Sequence, residues 1–93
     1  MLSKILMQPR LEGIRTDKKE ILDQEIAVID FKNMDSKFSG QFVIIQAKLK
    51  GETITITGNS FMLKQLFQVN KDKFPIFVRI NKKEKYYRLI RSG

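Results

Sequence analysis

The sequence contains no histidine and no cysteine. Without cysteine the chain can form no disulfide and offers no thiolate nucleophile or zinc-thiolate site. Without histidine it lacks the commonest general base and the commonest metal ligand. Its glycines form no phosphate-binding motif, and its aspartates are scattered without a spacing that would converge on a metal ion. We therefore expect a protein that is not an enzyme and that uses no metal or other cofactor.

Long apolar segments are also missing. No run approaches the roughly 20 residues that a membrane-spanning helix needs, and the N-terminal MLSKILMQPR is too short and too interrupted for a signal peptide. A chain of 93 residues is long enough for one domain with a single modest core. We expect a cytoplasmic protein with no membrane partner.

Positive charge is abundant and unevenly distributed. The chain has 18 Lys and Arg against 10 Asp and Glu, a net charge of +8. Residues 71–93 alone hold eight basic and two acidic residues. Such asymmetry indicates a polyanionic partner, most often nucleic acid. The alternative is a solvated lysine-rich surface, but the basic residues alternate with aromatic ones, which favours the nucleic acid.

Alternation of apolar and polar residues predicts five strands. The second and third strands meet at Gly51, where a tight hairpin is expected. The period then changes, because Leu63, Leu66 and Phe67 recur at helical spacing after Ser60, a good N-cap. The strands are predicted at 23–32, 41–50, 52–57, 74–82 and 86–91, and the intervening segment 33–40 is predicted to be a loop.

The order β-β-β-α-β-β, with one short helix between the third and fourth strands, predicts a mainly β protein with a five-stranded OB-fold barrel. An open sheet packed on one helix and an SH3-like barrel are the alternatives; the position of the helix favours the OB-fold. Residues 1–22 are predicted to be an N-terminal arm or edge element, and residues 23–93 to form the OB-fold domain.

Three stretches carry a resemblance to a known family: SKF in the loop before the second strand, GQFVIIQAKLKGETITITGNSFMLKQL, and FPIFVRINKKEKYYRLI. In its rhythm of strands, from about Gln24 to Ile90, the chain resembles the small OB-fold single-stranded-DNA-binding proteins of phages and mobile genetic elements. The resemblance implies sequence-nonspecific binding of single-stranded DNA, without catalysis, in replication, recombination or repair.

Several predicted strands carry aromatic and basic residues on one face, as a surface for single-stranded nucleic acid requires. Aromatic rings stack on bases, and each stacked base contributes roughly 1–3 kcal/mol to binding, whereas Lys and Arg pair with phosphates. The stacking candidates are Phe42, Phe77 and Tyr86, and the phosphate-binding candidates are Lys48, Arg79 and Arg88. The rim and loop candidates are Lys37, Phe38, Lys50, Lys82, Lys83 and Lys85.

Each aromatic candidate has an alternative role. Phe42 could fill a second small core, and Phe38 could anchor its loop. Tyr86 and Tyr87 are adjacent, so only one can face the interior, and we assign Tyr87 to the core. Phe31, Phe61, Phe67 and Phe74 are expected to be core or helix-capping residues.

The stripe of Phe42, Ile44 and Phe77 is also compatible with a different function, a protein-interaction module or an oligomeric structural subunit. Exposed edge strands invite self-pairing, so a homo-oligomer is expected. The sequence has no feature that distinguishes DNA from RNA as the partner.

Overall fold

The computed structural model describes residues 13–36 and 40–92. Over this part of the chain it contains six strands, one α-helix and two short 3-10 helices. The strands are β1 (Ile14–Thr16), β2 (Glu25–Ser36), β3 (Gly40–Leu49), β4 (Glu52–Gly58), β5 (Ile76–Lys83) and β6 (Tyr86–Arg91). The helix α1 is Ser60–Phe67, and the 3-10 helices are Lys18–Ile21 and Lys71–Lys73.

The strands form one mixed sheet in the order β1-β4-β3-β2-β5-β6, in which only β1 and β4 are parallel. The predicted mainly β architecture is confirmed, and so is the helix between the third and fourth predicted strands, which correspond to β4 and β5. The predicted five-stranded OB-fold barrel is not confirmed. The sheet has a sixth strand within the described residues, and it is open, as in one of the two alternatives.

The barrel does not close because other groups occupy both strand edges that would have to meet. A barrel built from β2–β6 would require β4 to pair with β6. Instead, β1 lies against the free edge of β4, with Ile14 opposite Ile54. On β6, the side-chain amide of Gln65 accepts a hydrogen bond from the Leu89 N–H (2.8 Å) and donates one to its carbonyl (2.9 Å). Asn59 also donates to a β6 carbonyl, that of Tyr87 (3.1 Å).

The core lies between one face of the sheet and α1. The buried residues alternate along the strands, as expected for side chains that point to opposite faces, and α1 buries Met62, Leu63 and Leu66 against them. The strand residues in the core are Ile26, Val28, Phe31, Val43, Ile45, Ala47, Ile54, Ile56, Ile76, Val78, Ile80 and Leu89.

A β-bulge in β2 shifts this alternation. The register with β3 slips between Val28 and Asp30, so that Phe31 enters the core in place of Asp30. Strict alternation along the predicted strand 23–32 would put Asp30 on the same face as Val28, and the bulge makes that expectation wrong. The Asp30 carboxylate accepts a hydrogen bond from the Phe31 N–H at 2.8 Å, which satisfies a backbone donor at the bulge.

Turn chemistry agrees with the predicted hairpin at Gly51. Lys50 and Gly51 are the two loop residues, and both have positive φ (51° and 86°), as a type I′ turn requires. The segment 33–40 differs from the prediction, because β2 and β3 continue to pair as far as Ser36 and Gly40. Long-range ladder pairing overrides the turn propensity of these residues.

The beginning of α1 also differs by one residue from the prediction. Asn59, rather than Ser60, is the N-cap, and its carboxamide oxygen accepts a hydrogen bond from the Met62 N–H at 2.8 Å. The described part of the predicted N-terminal segment 1–22 contributes edge strand β1, and it places Ile21 in the core. No helix among the described residues is long and apolar enough to cross a membrane.

Candidate nucleic-acid interface

The sheet face opposite α1, called here the outer face, carries the six main predicted binding residues. Residues that pair directly in an antiparallel sheet share a face, so the register traces this face from β4 to β6. From Thr53 the register continues through Lys48 and Ala27 to Phe77. The predicted contact residues on the outer face are Phe42, Lys48, Phe77, Arg79, Tyr86 and Arg88.

The centre of the outer face is the row formed by Lys48, Ala27 and Phe77. Ala27 is the direct partner of Lys48 on one side and of Phe77 on the other. With neighbouring strands about 4.8 Å apart, Lys48 and Phe77 are separated by about 10 Å across the small alanine. Half of the Phe77 surface is exposed (50%). Backbone pairing thus holds a cation and an exposed ring in one row, on either side of Ala27.

The β5–β6 hairpin supplies the second group. Arg79 and Arg88 are exposed on the outer face, and Tyr86, paired with Lys83 near the turn, is 66% exposed. The guanidinium Nε of Arg88 donates a hydrogen bond to Asn81 at 3.3 Å, and Asn81 donates to the Asp23 carboxylate at 3.3 Å. These two hydrogen bonds link Arg88 to Asn81 and Asn81 to Asp23, and they hold the arginine side chain on the outer face.

The third group lies at the other end of β3. Phe42 is half-buried and sits opposite Met34 on the outer face, next to the row that contains Ile44. Lys48 is six positions along β3 from Phe42. Lys83, the partner of Tyr86, is six positions along β5 from Phe77. At about 3.4 Å per residue, each separation is about 20 Å. The three predicted stacking residues therefore share a face without forming one compact pocket.

The other predicted residues are distributed around this face. Lys50 and Lys85 are exposed in hairpin turns, and Lys83 is exposed near the end of β5. Lys82 lies on the opposite face, with its ammonium 5.6 Å from the centre of the Tyr87 ring. Lys37 and Phe38 lie outside the described residues.

Tyr87 and Tyr86 point in opposite directions, in the orientation that the sequence predicts. Tyr87 is partly buried and packs against the core, and the ammonium of Lys18 lies 4.7 Å from its ring centre. Within the described part of the chain, the Tyr87 hydroxyl has no hydrogen-bond partner. Tyr86 is left free for contact on the outer face.

The outer face also carries a row of hydroxyl groups that the sequence prediction did not include. Thr53, Thr55 and Thr57 lie on the outer face of β4, opposite Lys48, Gln46 and Ile44 respectively. Hydroxyl groups commonly bond phosphate and sugar oxygens. Their alternation with Ile54 and Ile56 predicts the strand, but it does not mark these hydroxyl groups as candidate contacts.

Two phenylalanines expected in the core or at a helix cap are instead exposed. Phe61 and Phe67 of α1 are 55% and 58% exposed, whereas Phe31 is buried and Phe74 packs against the core. The ring of Phe67 meets that of Phe31 edge-on at 5.4 Å. Helical spacing puts Phe67 on the apolar side of α1 with Leu63 and Leu66, but in the structure it is only partly covered, with Phe31 against one edge of its ring.

Chemically, the outer face combines exposed rings, cations and hydroxyls, and it also carries two carboxylates, Glu25 opposite Arg79 and Asp30 opposite Gln46. Among the described residues there is no group of three or more His, Cys, Asp or Glu that could hold a metal ion. The arrangement is suited to binding an extended, negatively charged ligand with aromatic parts.

Comparison with known proteins identifies one family. No curated protein and no solved structure matches the chain. One family model does match, over residues 12–90, a range that includes α1 and the six described strands apart from Arg91, the last residue of β6. The chain therefore belongs to the family described as a domain of unknown function, DUF8468.

Proposed function

We propose that this domain binds single-stranded DNA, without reading its sequence, across the outer face of the sheet. The observation that carries the proposal is the register, which places the exposed ring of Phe77 in one row with Lys48 and beside the arginines of the β5–β6 hairpin. Any sheet with one buried face collects the other sides of its strands on one surface, and here that surface carries rings and cations together.

Bases would stack on Phe77 and Tyr86, and phosphates would pair with Lys48, Arg79 and Arg88. Because Phe77 and Tyr86 are about 20 Å apart, the two rings would contact bases several nucleotides apart on one extended strand. Such contacts depend on the ring faces and the backbone charge, so they tolerate any base.

The strand order gives further support. The five predicted strands correspond to β2–β6. In the sheet they lie in the order β4-β3-β2-β5-β6, and along the chain the helix follows β4. The OB-fold is a partly open five-stranded Greek-key barrel that binds oligonucleotides on its second and third strands and on the loops after strands one and four. The equivalent parts among the described residues are β3, β4 and the turn at Glu84–Lys85. We infer that the domain is an opened relative of this fold, with β1 in the position where the barrel would close.

The resemblance to phage and mobile-element proteins extends the proposal to replication, recombination or repair in the cytoplasm, and to a homo-oligomer. Single-stranded RNA is the alternative ligand, because none of the candidate contact residues on the outer face is specific for the presence or absence of a 2′-hydroxyl.

A protein-interaction role for the same face is the competing function. It is favoured by the half-buried apolar side chains of Met34, Phe42 and Ile44 at the β2–β3 end of the outer face. This apolar end is about 20 Å from the exposed Phe77. Variants of the β5–β6 end can therefore separate the two functions.

The test is fluorescence anisotropy with labelled single-stranded DNA, its duplex and the matching RNA at several salt concentrations. We expect salt-sensitive binding that strongly prefers the single strand. The variant pair Arg79→Glu and Arg88→Glu should abolish this binding and leave the sedimentation coefficient unchanged. Equal binding of duplex and single strand would contradict stacking, and absence of binding at low salt would overturn the nucleic-acid function in favour of the protein interface.

A further inference from the structure

The exposed side of α1 carries a second aromatic and basic surface, separate from the outer face. Phe61 and Phe67 are each more than half exposed, and Lys64 stands three residues from both. Residues three apart are neighbours on a helix surface, so the lysine lies between the two rings. We call Phe61, Lys64 and Phe67 the helix stripe. Two exposed phenylalanines on an eight-residue helix leave apolar surface in contact with solvent, which a ligand could cover.

The charge of the helix stripe indicates the class of ligand. Helix α1 contains no acidic residue. Beyond its C-terminal end, the ammonium of Lys71 lies 5.5 Å from the centre of the Phe31 ring, which in turn contacts Phe67. Alternating rings and ammonium groups match a chain that alternates aromatic bases and phosphates.

The helix stripe is connected to the outer face around the open edge of β2. Strand β5 pairs with β2 only from Glu25 to Val28, so beyond the bulge this edge of β2 is not covered by β5. A shallow depression of about 50 Å³ lies there, lined by Ile29, Asp30, Phe31, Lys71 and Phe74. Asp30 pairs with Gln46 on the outer face, and Phe31 contacts Phe67 of the helix stripe. A DNA strand that leaves Phe77 can therefore continue over this edge without crossing the core. On the way it passes the Asp30 carboxylate, and the cation in the same depression is Lys71.

A second copy of the chain is the other candidate occupant, and the charge pattern disfavours it. A two-fold contact places the same surface of both copies face to face. Two helix stripes packed in this way would bring Lys64 of each copy into one apolar interface, and α1 has no carboxylate to pair with them. Like charges juxtaposed in an interface cost several kcal/mol.

We propose that the helix stripe is a continuation of the single-strand site, which engages nucleotides that extend past Phe77 around the open edge of β2. The inference rests on the proposed function, since it requires that the outer face binds the same strand. It predicts a site longer than the outer face alone, with two segments that differ in their dependence on oligonucleotide length.

The experiment is isothermal titration calorimetry with oligothymidylates from about 4 to about 20 nucleotides, a range that includes the site sizes of roughly 4–16 nucleotides usual for one OB-fold. Calorimetry also gives the stoichiometry, so affinities are compared at one protein per strand. The variants are Phe61→Ala, Phe61→Ala with Phe67→Ala, and Phe77→Ala. Ile14→Ala is the matched control, because Ile14 is an equally exposed apolar residue (58%) on the opposite part of the sheet.

We expect Phe61→Ala to weaken binding of the longest strand roughly fivefold or more, which corresponds to the loss of one stacked base, and to leave the shortest strand unaffected. Phe77→Ala should weaken both, and Ile14→Ala neither. Because Phe61 has no ring partner among the described residues, its replacement tests the helix stripe without disturbing the Phe31 contact.

Three results would overturn the inference, and they are distinguishable. If the helix variants bind every length as the wild type does while Phe77→Ala weakens binding, the helix stripe is not part of the site and the proposed function stands. If the wild type binds no single strand of any length, both proposals are wrong. If the helix variants change the sedimentation coefficient and not the DNA affinity, the helix stripe is a contact between copies.

Discussion

The side-chain amide of Gln65 and the backbone of Leu89 exchange two hydrogen bonds, of 2.8 and 2.9 Å, across 24 residues of sequence. The glutamine thus does for β6 what a neighbouring strand would do, since it satisfies one N–H and one C=O on an edge that pairs with no other described strand. This contact joins α1 to the end of the sheet at the place where a barrel would close.

Replacement of Gln65 by leucine should destabilise the domain by about 1–3 kcal/mol, because two partly buried backbone groups would lose their partners. Equilibrium unfolding in urea measures the change. Gln68→Leu is the control, since Gln68 is exposed just beyond the end of α1. Equal effects of the two substitutions would show that the Gln65 amide adds nothing to stability.

The glycines at positive φ should differ in what an added methyl group does. Gly13 has φ +147°, and a Cβ there would lie 2.8 Å from the backbone carbon of Ile54, whereas Gly51 has φ +86° and open space around it. Gly51→Ala should cost about 1–3 kcal/mol of backbone strain alone. Gly13→Ala should be more destabilising, because it also pushes β1 away from β4. Unfolding experiments that rank Gly51→Ala as the more destabilising variant would contradict this packing.

A negative charge added at the centre of the outer face should oppose DNA binding. Ala27 stands between Lys48 and Phe77, so the carboxylate of Ala27→Glu would repel a phosphate there. We expect at least a tenfold loss of affinity for single-stranded DNA in an anisotropy titration. Ala27→Gln has nearly the same size without the charge and should retain most of the binding. A comparable loss with both variants would mean that only the shape of this row matters.

Stacking and phosphate pairing should respond differently to salt. Arg79→Gln should reduce the slope of log K against log salt concentration by about 0.7, the value for one phosphate contact on a single strand. Phe77→Ala should lower the affinity roughly 5- to 150-fold at every salt concentration, with the slope unchanged. If Phe77→Ala flattens the slope instead, the ring acts by positioning a cation.

Much of the candidate site was predictable because strand alternation is a local property. The period of two in β3 and β5 alone determines that Lys48 shares a face with Phe42, and that Arg79 shares a face with Phe77. The same rule separated Tyr86 from Tyr87. It could not relate β3 to β5, because register between strands depends on which backbones pair. Ala27 is the residue that joins them, and nothing in the sequence marks it.

The sequence by itself determined the mainly β architecture, the helix after β4, the hairpin turn at Gly51 and the basic character of the last quarter of the chain. These features follow from local periodicity, backbone conformation and composition. Only the tertiary structure decided that the sheet stays open, since that depends on β1 pairing with β4 and on Gln65 reaching β6. It likewise decided the bulge in β2 and the exposure of Phe61 and Phe67, because burial depends on which distant segments reach a side chain.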